Sequence, residues 1–245
     1  MQRYFVKQPL KIQAELQLSK EDSHHLIRVM RTDIGQDVEV VDPDGKVFIA
    51  EVLKSGSIAT LRTKEDITKS VELPVDITIA CGISKGDKNE QIIKRGTEMG
   101  AKHFIFFESR YSVARWSEPK VEKKLKRLRE IAKGAAEQSH RQLIPTVVFI
   151  KAPALFETTI EHRMVAYEES AKQDEHANFK SLLLQLKAGD QLLAVFGPEG
   201  GFAEEEIQKF TEHQFVLAGL GPRILRAETA PMYLLSAVSY QFELK

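Results

Sequence analysis

Apolar residues follow two rhythms along the chain. Up to about residue 72 they alternate with polar positions in short runs, the period of strands with one buried face. The pattern predicts strands at 3–6, 37–41, 46–53 and 58–63, and a helix at 20–31. Ser19 is placed to cap that helix, with Asp22 at the reciprocal position of a capping box. Asp42-Pro43-Asp44-Gly45 reads as a tight turn, since proline presets φ and glycine accepts a positive one. The polar stretch 65–74 ends this β-rich unit, which we set at residues 1–72.

From Val75 onward, compact apolar runs alternate with helical periods. Strands at 75–81, 103–108, 146–150, 164–168, 192–196 and 215–218 are interleaved with helices at 87–99, 117–140, 153–159, 179–186, 203–213 and 229–242. Short apolar strands separated by helices indicate an α/β domain over residues 73–245, with a mostly parallel sheet covered on both faces. By pattern alone it would be drawn as a Rossmann-like sheet.

Composition narrows this only a little. The 245 residues, 42% hydrophobic and 29% charged, suit a globular chain of one large or two modest domains. No apolar run approaches the roughly 20 residues of a membrane helix, and MQRYFVKQPLKIQ lacks the apolar core of a signal peptide. Cys81 is the only cysteine, which excludes internal disulfides and cysteine-cluster metal sites. A cytoplasmic protein without a metal is expected.

Charge changes the picture more. The net charge is zero, but residues 85–141 carry 15 basic and 8 acidic side chains, against 9 and 14 in residues 142–245. A polyanion responds to the local field rather than to the total. Lys120, Lys123, Lys124, Lys126, Arg127 and Arg129 either solvate a helix face or offer RNA a basic surface.

Two loops follow predicted strands at the sheet edge where open α/β folds bind ligands. Gly197-Pro198-Glu199-Gly200-Gly201 precedes a helix, and its glycines permit close approach to the backbone. It is neither a Walker loop nor a dinucleotide fingerprint. The second, Gly219-Leu220-Gly221-Pro222-Arg223-Ile224-Leu225-Arg226-Ala227-Glu228-Thr229, carries two arginines and a carboxylate. Its plainer reading makes the arginines surface charges and Glu228 a complement to the next helix dipole. Together the loops suit an adenosine-bearing ligand.

GPEGG (197–201) and LGPRILRAETA (220–230), with EQSHR (137–141) and HHLIRVMR (24–31), closely resemble the ribosomal RNA small subunit methyltransferase E family, of the SPOUT class. The resemblance covers essentially the whole chain. It implies a small PUA-like β-barrel, then an α/β domain with a deep trefoil knot over about 192–230, and dimerisation through that domain. It implies an S-adenosylmethionine-dependent enzyme that methylates N3 of one uridine in the decoding region of 16S ribosomal RNA (m3U1498), with the small subunit as partner.

Carried over by motif, the resemblance places the cofactor against Gly197, Glu199, Gly200 and Gly201 on one side. Leu217, Leu220, Gly221, Ile224, Leu225 and Arg226 line the other, and the strand exit at 166–169 supplies a third loop. Arg226 would stabilise charge developing on the uracil, with Glu228 or Glu199 as proton acceptor. For RNA contact the expectations are His24, His25, Arg28 and Arg31 on one helix, then Arg115, Gln138, Ser139 and Arg141. Positions 24, 28 and 31 would share a helix face; Arg110 and Trp116 lie in a loop that could stack on bases. The rival readings are a non-enzymatic ribosome-binding factor and a SPOUT enzyme acting on another RNA.

Overall fold

The structure is a computed structural model describing residues 1–167 and 177–244. The chain divides into two units, Met1–Glu72 with Ala136–Leu143, and Leu73–Ala135 with Ile144–Lys245.

In the first unit β1 (Arg3–Phe5), β2 (Glu15–Gln17), β3 (Asp37–Val41), β4 (Val47–Lys54) and β5 (Thr60–Asp66) form one mixed sheet in the order β1-β3-β4-β5-β2. β1 runs parallel to β3 and the other pairs are antiparallel. Register shifts in the β4–β5 pair add local twist, and the sheet curls around Tyr4, Leu16, Leu26, Val40, Phe48, Val52 and Leu61. β2 escaped the pattern because only Leu16 of its three residues is buried.

The expected 20–31 helix is two structures. α1 (Lys20–His24) starts on Ser19, whose hydroxyl accepts from the Asp22 N–H at 3.0 Å and donates to the Asp22 carboxylate at 2.8 Å. One π turn, His25–Val29, follows, with the Met30 N–H bonded to the His25 carbonyl. Arg31 lies beyond it at φ 55°. The wider π turn breaks the i, i+4, i+7 spacing, so the face expected to unite positions 24, 28 and 31 is not a continuous helical stripe.

Two arginines fix the rest of the unit. Buried Arg3 bonds Glu39 through Nε at 2.7 Å and donates to the carbonyls of His140 and Arg141 at 2.6 and 3.0 Å. Arg141, 3% exposed, pairs with Glu72, whose carboxylate also accepts from the Gln142 N–H. These contacts explain why residues 136–143 belong with the first unit.

The second unit is a six-stranded parallel sheet. β6 (Asp76–Gly82), β7 (His103–Phe107), β8 (Thr146–Ile150), β9 (His162–Ala166), β10 (Gln191–Phe196) and β11 (Val216–Ala218) lie in the order β11-β9-β10-β6-β7-β8. Its helices among the described residues are α2 (Lys88–Glu98), α3 (Glu118–Gln138), α4 (Ala177–Gln185), α5 (Glu204–Glu212) and α6 (Ala230–Glu243). The segment expected as a helix at 153–159 is a 3-10 turn, Ala152–Glu157. Side chains alternate across the sheet. Ile77, Ile79, Phe104, Leu192, Ala194 and Phe196 share a core with Ile92, Leu128 and Leu235 of the helices. Ala80, Phe107, Val165, Leu193 and Val195 face Ile207, Phe210 and Phe215. Burial on both faces is why these strands read as continuous apolar runs.

The turn at Asp42 tests the first unit. Its buried carboxylate accepts from the N–H groups of Leu10, Asp44 and Lys46 at 3.2, 2.9 and 3.0 Å. Asp42→Ala orphans three donors and is expected to cost about 3 kcal/mol in urea unfolding, while Asp42→Asn loses less because one acceptor oxygen remains.

Candidate active site

The chain runs from β6 outward to β7 and β8, then returns to build β9, β10 and β11 on the other side. β6 and β10 are neighbours, paired from Asp76 with Gln191 to Cys81 with Phe196. Loops leaving both carboxyl ends emerge side by side at the point where strand order reverses, the usual ligand crevice of an open parallel sheet.

Their approach is close enough to dictate sequence. A Cβ on Gly82 would lie 2.5 Å from Cδ of Pro198, and one on Gly200 would lie 2.9 Å from Cβ of Tyr111. Tyr111 belongs to the loop after β7, which Glu206 holds by accepting from the Ser109 hydroxyl at 3.1 Å and the Arg110 N–H at 3.0 Å. The same carboxylate accepts from the Ala203 N–H at 2.9 Å at the start of α5.

The charged centre is a trio. Lys88, the first residue of α2, puts Nζ 3.0 Å from Glu199 Oε1 and 3.9 Å from Glu228 Oε2. The Lys85 N–H donates to Glu199 at 3.1 Å. Burial alone would raise the Glu199 carboxyl. Its own backbone N–H, the Lys88 ammonium and the Lys85 N–H outweigh that and hold it below the ordinary glutamate value. The Glu228 side chain is 12% exposed, and its Oε2 has no hydrogen-bond partner among the described residues. The cap of α6 is Thr229, without a side-chain cap bond, so Glu228 is not tied into the helix start.

The loop from Gly219 to Leu225 is open to a ligand. Gly219 is buried and Leu220, Gly221 and Leu225 are half-buried, yet no backbone group between Gly219 and Leu225 is hydrogen-bonded to another among the described residues. Ile224 is 75% exposed, and Arg226 is exposed with no ion pair among the described residues. Leu217, in β11, gives its carbonyl to the Asn178 side chain at 3.0 Å. Of the third loop, Ala166 ends β9 and the Tyr167 N–H donates to the Ala218 carbonyl at 3.1 Å; positions 168 and 169 lie outside the described residues.

Residues 71–239 match a family model described as an RNA methyltransferase domain, and residues 18–60 match an RNA methyltransferase PUA domain. The ribosomal RNA small subunit methyltransferase E of Bacillus subtilis (strain 168) is 41% identical over 254 aligned positions, covering 100% of this chain and 98% of the relative. The chain belongs to the ribosomal RNA small subunit methyltransferase E family. Another protein of that name, from Synechocystis sp. (strain ATCC 27184 / PCC 6803 / Kazusa), is 32% identical over 95% of this chain and 75% of its own. The crystal structure of the Neisseria gonorrhoeae enzyme bound to S-adenosyl methionine superposes with a TM-score of 0.87 at 25% identity, covering 99% of this chain and 98% of that one.

Placed within the methyltransferase E fold, the residues expected to meet RNA separate into distinct groups. His24, Arg28 and Arg31 are exposed, with side chains unpaired among the described residues. His25 turns inward, its Nδ1 3.1 Å from the Tyr4 hydroxyl. Burial, with Glu137 and Asp22 adding negative field, pushes the Tyr4 phenol up, so it stays neutral beside that histidine. Gln138 is exposed and Ser139 half-buried, whereas Arg141 is committed to Glu72 and is not a surface cation. Arg115 is exposed, but Trp116 is 6% exposed and packs on Phe106 and Phe149, so it offers no ring to a base. The basic run of α3 is largely engaged. Arg127 pairs with Glu90, Arg129 with Glu122, and Lys126 with Glu130, while Lys124 sits 5.4 Å over the Trp116 ring.

Sequence reading missed Lys88, Tyr111 and Glu206. The loop after β6 leaves the same sheet edge as the glycine loop, but only the strand order makes the two neighbours. Linkage gives a test of the trio. A carboxyl held low stabilises the fold at neutral pH, and that contribution disappears as pH falls through its lowered pKa. Glu199→Gln is expected to melt below wild type at pH 7, with the gap narrowing in scanning fluorimetry as the pH falls below the ordinary glutamate value. A gap that stays the same size over that whole acid range would refute the ion-pair account.

Proposed function

We propose that the chain transfers a methyl group from S-adenosylmethionine to N3 of a uridine in 16S ribosomal RNA of the small subunit. The observation that carries this reading is the full-length match to methyltransferase E relatives, together with intact GPEGG and LGPRILR loops at one edge of the parallel sheet.

The residues present fit the cofactor. Unpaired backbone groups from Gly219 to Leu225 can bond the polar edges of an adenosine, and Leu220, Ile224 and Leu225 offer apolar surface beside them. Gly197, Gly200 and Gly201 leave the facing backbone without side chains. The Glu199 carboxylate suits a cationic ligand. When bound, the cofactor supplies an electrophilic methyl on a sulfonium centre.

The protein's own work is positioning and charge control. Uridine N3 carries a proton that must leave, and negative charge develops on the neighbouring carbonyl oxygens. Arg226, exposed on the second loop and free of carboxylate partners among the described residues, is the group we assign to that charge. Glu228 and Glu199 are the candidate proton acceptors. In the first unit His24, Arg28 and Arg31 are the side chains we assign to RNA phosphates. The same reading gives a knot over about 192–230, which the position of β10 between β9 and β6 supports. It also gives a homodimer and a cytoplasmic location, where ribosomes are assembled.

Arg226→Ala is expected to abolish turnover while calorimetry still shows cofactor binding; wild-type turnover would sink the assignment. Mass mapping of 16S RNA from cells lacking the protein should show the uridine without its N3 methyl. An unchanged methyl would point to another RNA substrate, and no cofactor binding at millimolar concentration would favour a binding factor without activity.

A further inference from the structure

We propose that Lys88 is a positioning residue for the methyl transfer: it takes Glu199 as its hydrogen-bonded partner and leaves Glu228 as the acceptor of the uridine N3 proton. The inference rests on the reaction proposed above and assigns a role to a residue outside both loops of the motif.

The argument begins with the inequality of the two carboxylates. Glu199 is occupied, with Lys88 at 3.0 Å and the Lys85 N–H at 3.1 Å on the same oxygen. A carboxylate so engaged is a weak base, because a proton on either oxygen removes the charge that both contacts reward. Glu228 stands 3.9 Å from the ammonium, inside ion-pair range but beyond a hydrogen bond, and its Oε2 has no hydrogen-bond partner among the described residues. Nearly buried acceptors are rarely left so, because an unmet acceptor costs free energy. A substrate N–H is the missing partner of the right chemistry.

Lys88 comes from α2, Glu199 from the loop after β10 and Glu228 from the loop after β11. The ammonium therefore sets where both carboxylates stand relative to one another. It has three N–H donors and no acceptor, so it can hold carboxylates without competing for the proton. In the proposed step the N3–H bond breaks and its proton passes to Glu228 Oε2. The electron pair stays on N3, the atom that is alkylated.

The variants are Lys88→Met, Lys88→Arg, Glu228→Gln and the Lys88→Met/Glu228→Gln double, each assayed for kcat, KM and calorimetric binding of S-adenosylmethionine. Lys88→Met is expected to lower kcat at least about tenfold, and Glu228→Gln about 10²-fold or more. Cofactor Kd should stay within about threefold, and Lys88→Arg should restore most of kcat because the charge is kept. The double variant should be no worse than Glu228→Gln alone, since Lys88 acts through that carboxylate. Should Lys88→Met fail to fold, Lys88→Gln keeps a donor without the charge and carries the same expected loss. The inference is overturned by wild-type kcat in Lys88→Met, by equal losses in Lys88→Met and Lys88→Arg, or by losses that multiply in the double variant. Failure of the methyltransferase reading looks different: the wild type itself would neither bind the cofactor nor methylate 16S RNA.

Discussion

The parallel pairing of β6 with β10 is the constraint on which the site depends. Six consecutive residue pairs, from Asp76–Gln191 to Cys81–Phe196, set one register. A slip by one residue would send Leu193 and Val195 out of one core and into the other, so burial on both faces locks the pairing. Once locked, the strands end level. Gly82 then lies against Pro198, and Lys88 meets Glu199 within a turn of helix. β10 achieves this by lying between two strands that precede it in the chain, which makes the geometry of the site a consequence of topology.

The electrostatics also become specific only in three dimensions. Zero net charge conceals a basic middle segment, within which Arg127, Arg129 and Lys126 pair with Glu90, Glu122 and Glu130, so its surplus lies in the cations left over. Exposed pairs of this kind contribute little stability and lower the field that RNA would feel. Among the described residues, cations without an ion pair include Lys120 and Lys123 on α3, Arg28 and Arg31 in the first unit, and Arg115 and Arg226 in the second. For a polyanion, which basic residues lack partners matters more than how many there are.

Much of the fold was legible because its signals are local. Periodicity located β3 and β8 to the residue and most other helices and strands within a few positions. What failed was whatever depends on distant contacts. β2 is three residues with one buried side chain, too short to show a period. The π turn at His25–Val29 has no composition signal, and Arg141 looked like a surface cation until Glu72 was beside it. In the site, glycines and carboxylates could be read from two motifs, because close approach requires glycine wherever it occurs. Lys88 could not, since its meaning comes from strand order and nothing in its neighbours announces it.

Incomplete pairing is where fold and chemistry meet. The second unit satisfies its sheet and packs both faces, yet at one edge it leaves the backbone from Gly219 to Leu225 and one oxygen of Glu228 without hydrogen-bond partners among the described residues. Each such group works against folding, by about 1–3 kcal/mol where it is truly buried and dry. A chain selected for stability alone could close these gaps with side-chain donors, as it does at Asp42 in the first unit, where three N–H groups converge on one carboxylate. The contrast within one protein separates the two uses of polar atoms. Where the fold needs a turn, the atoms are paired; on the loop we assign to the cofactor, they are left open. The two cores flanking the sheet supply the stability that lets that edge remain unsatisfied.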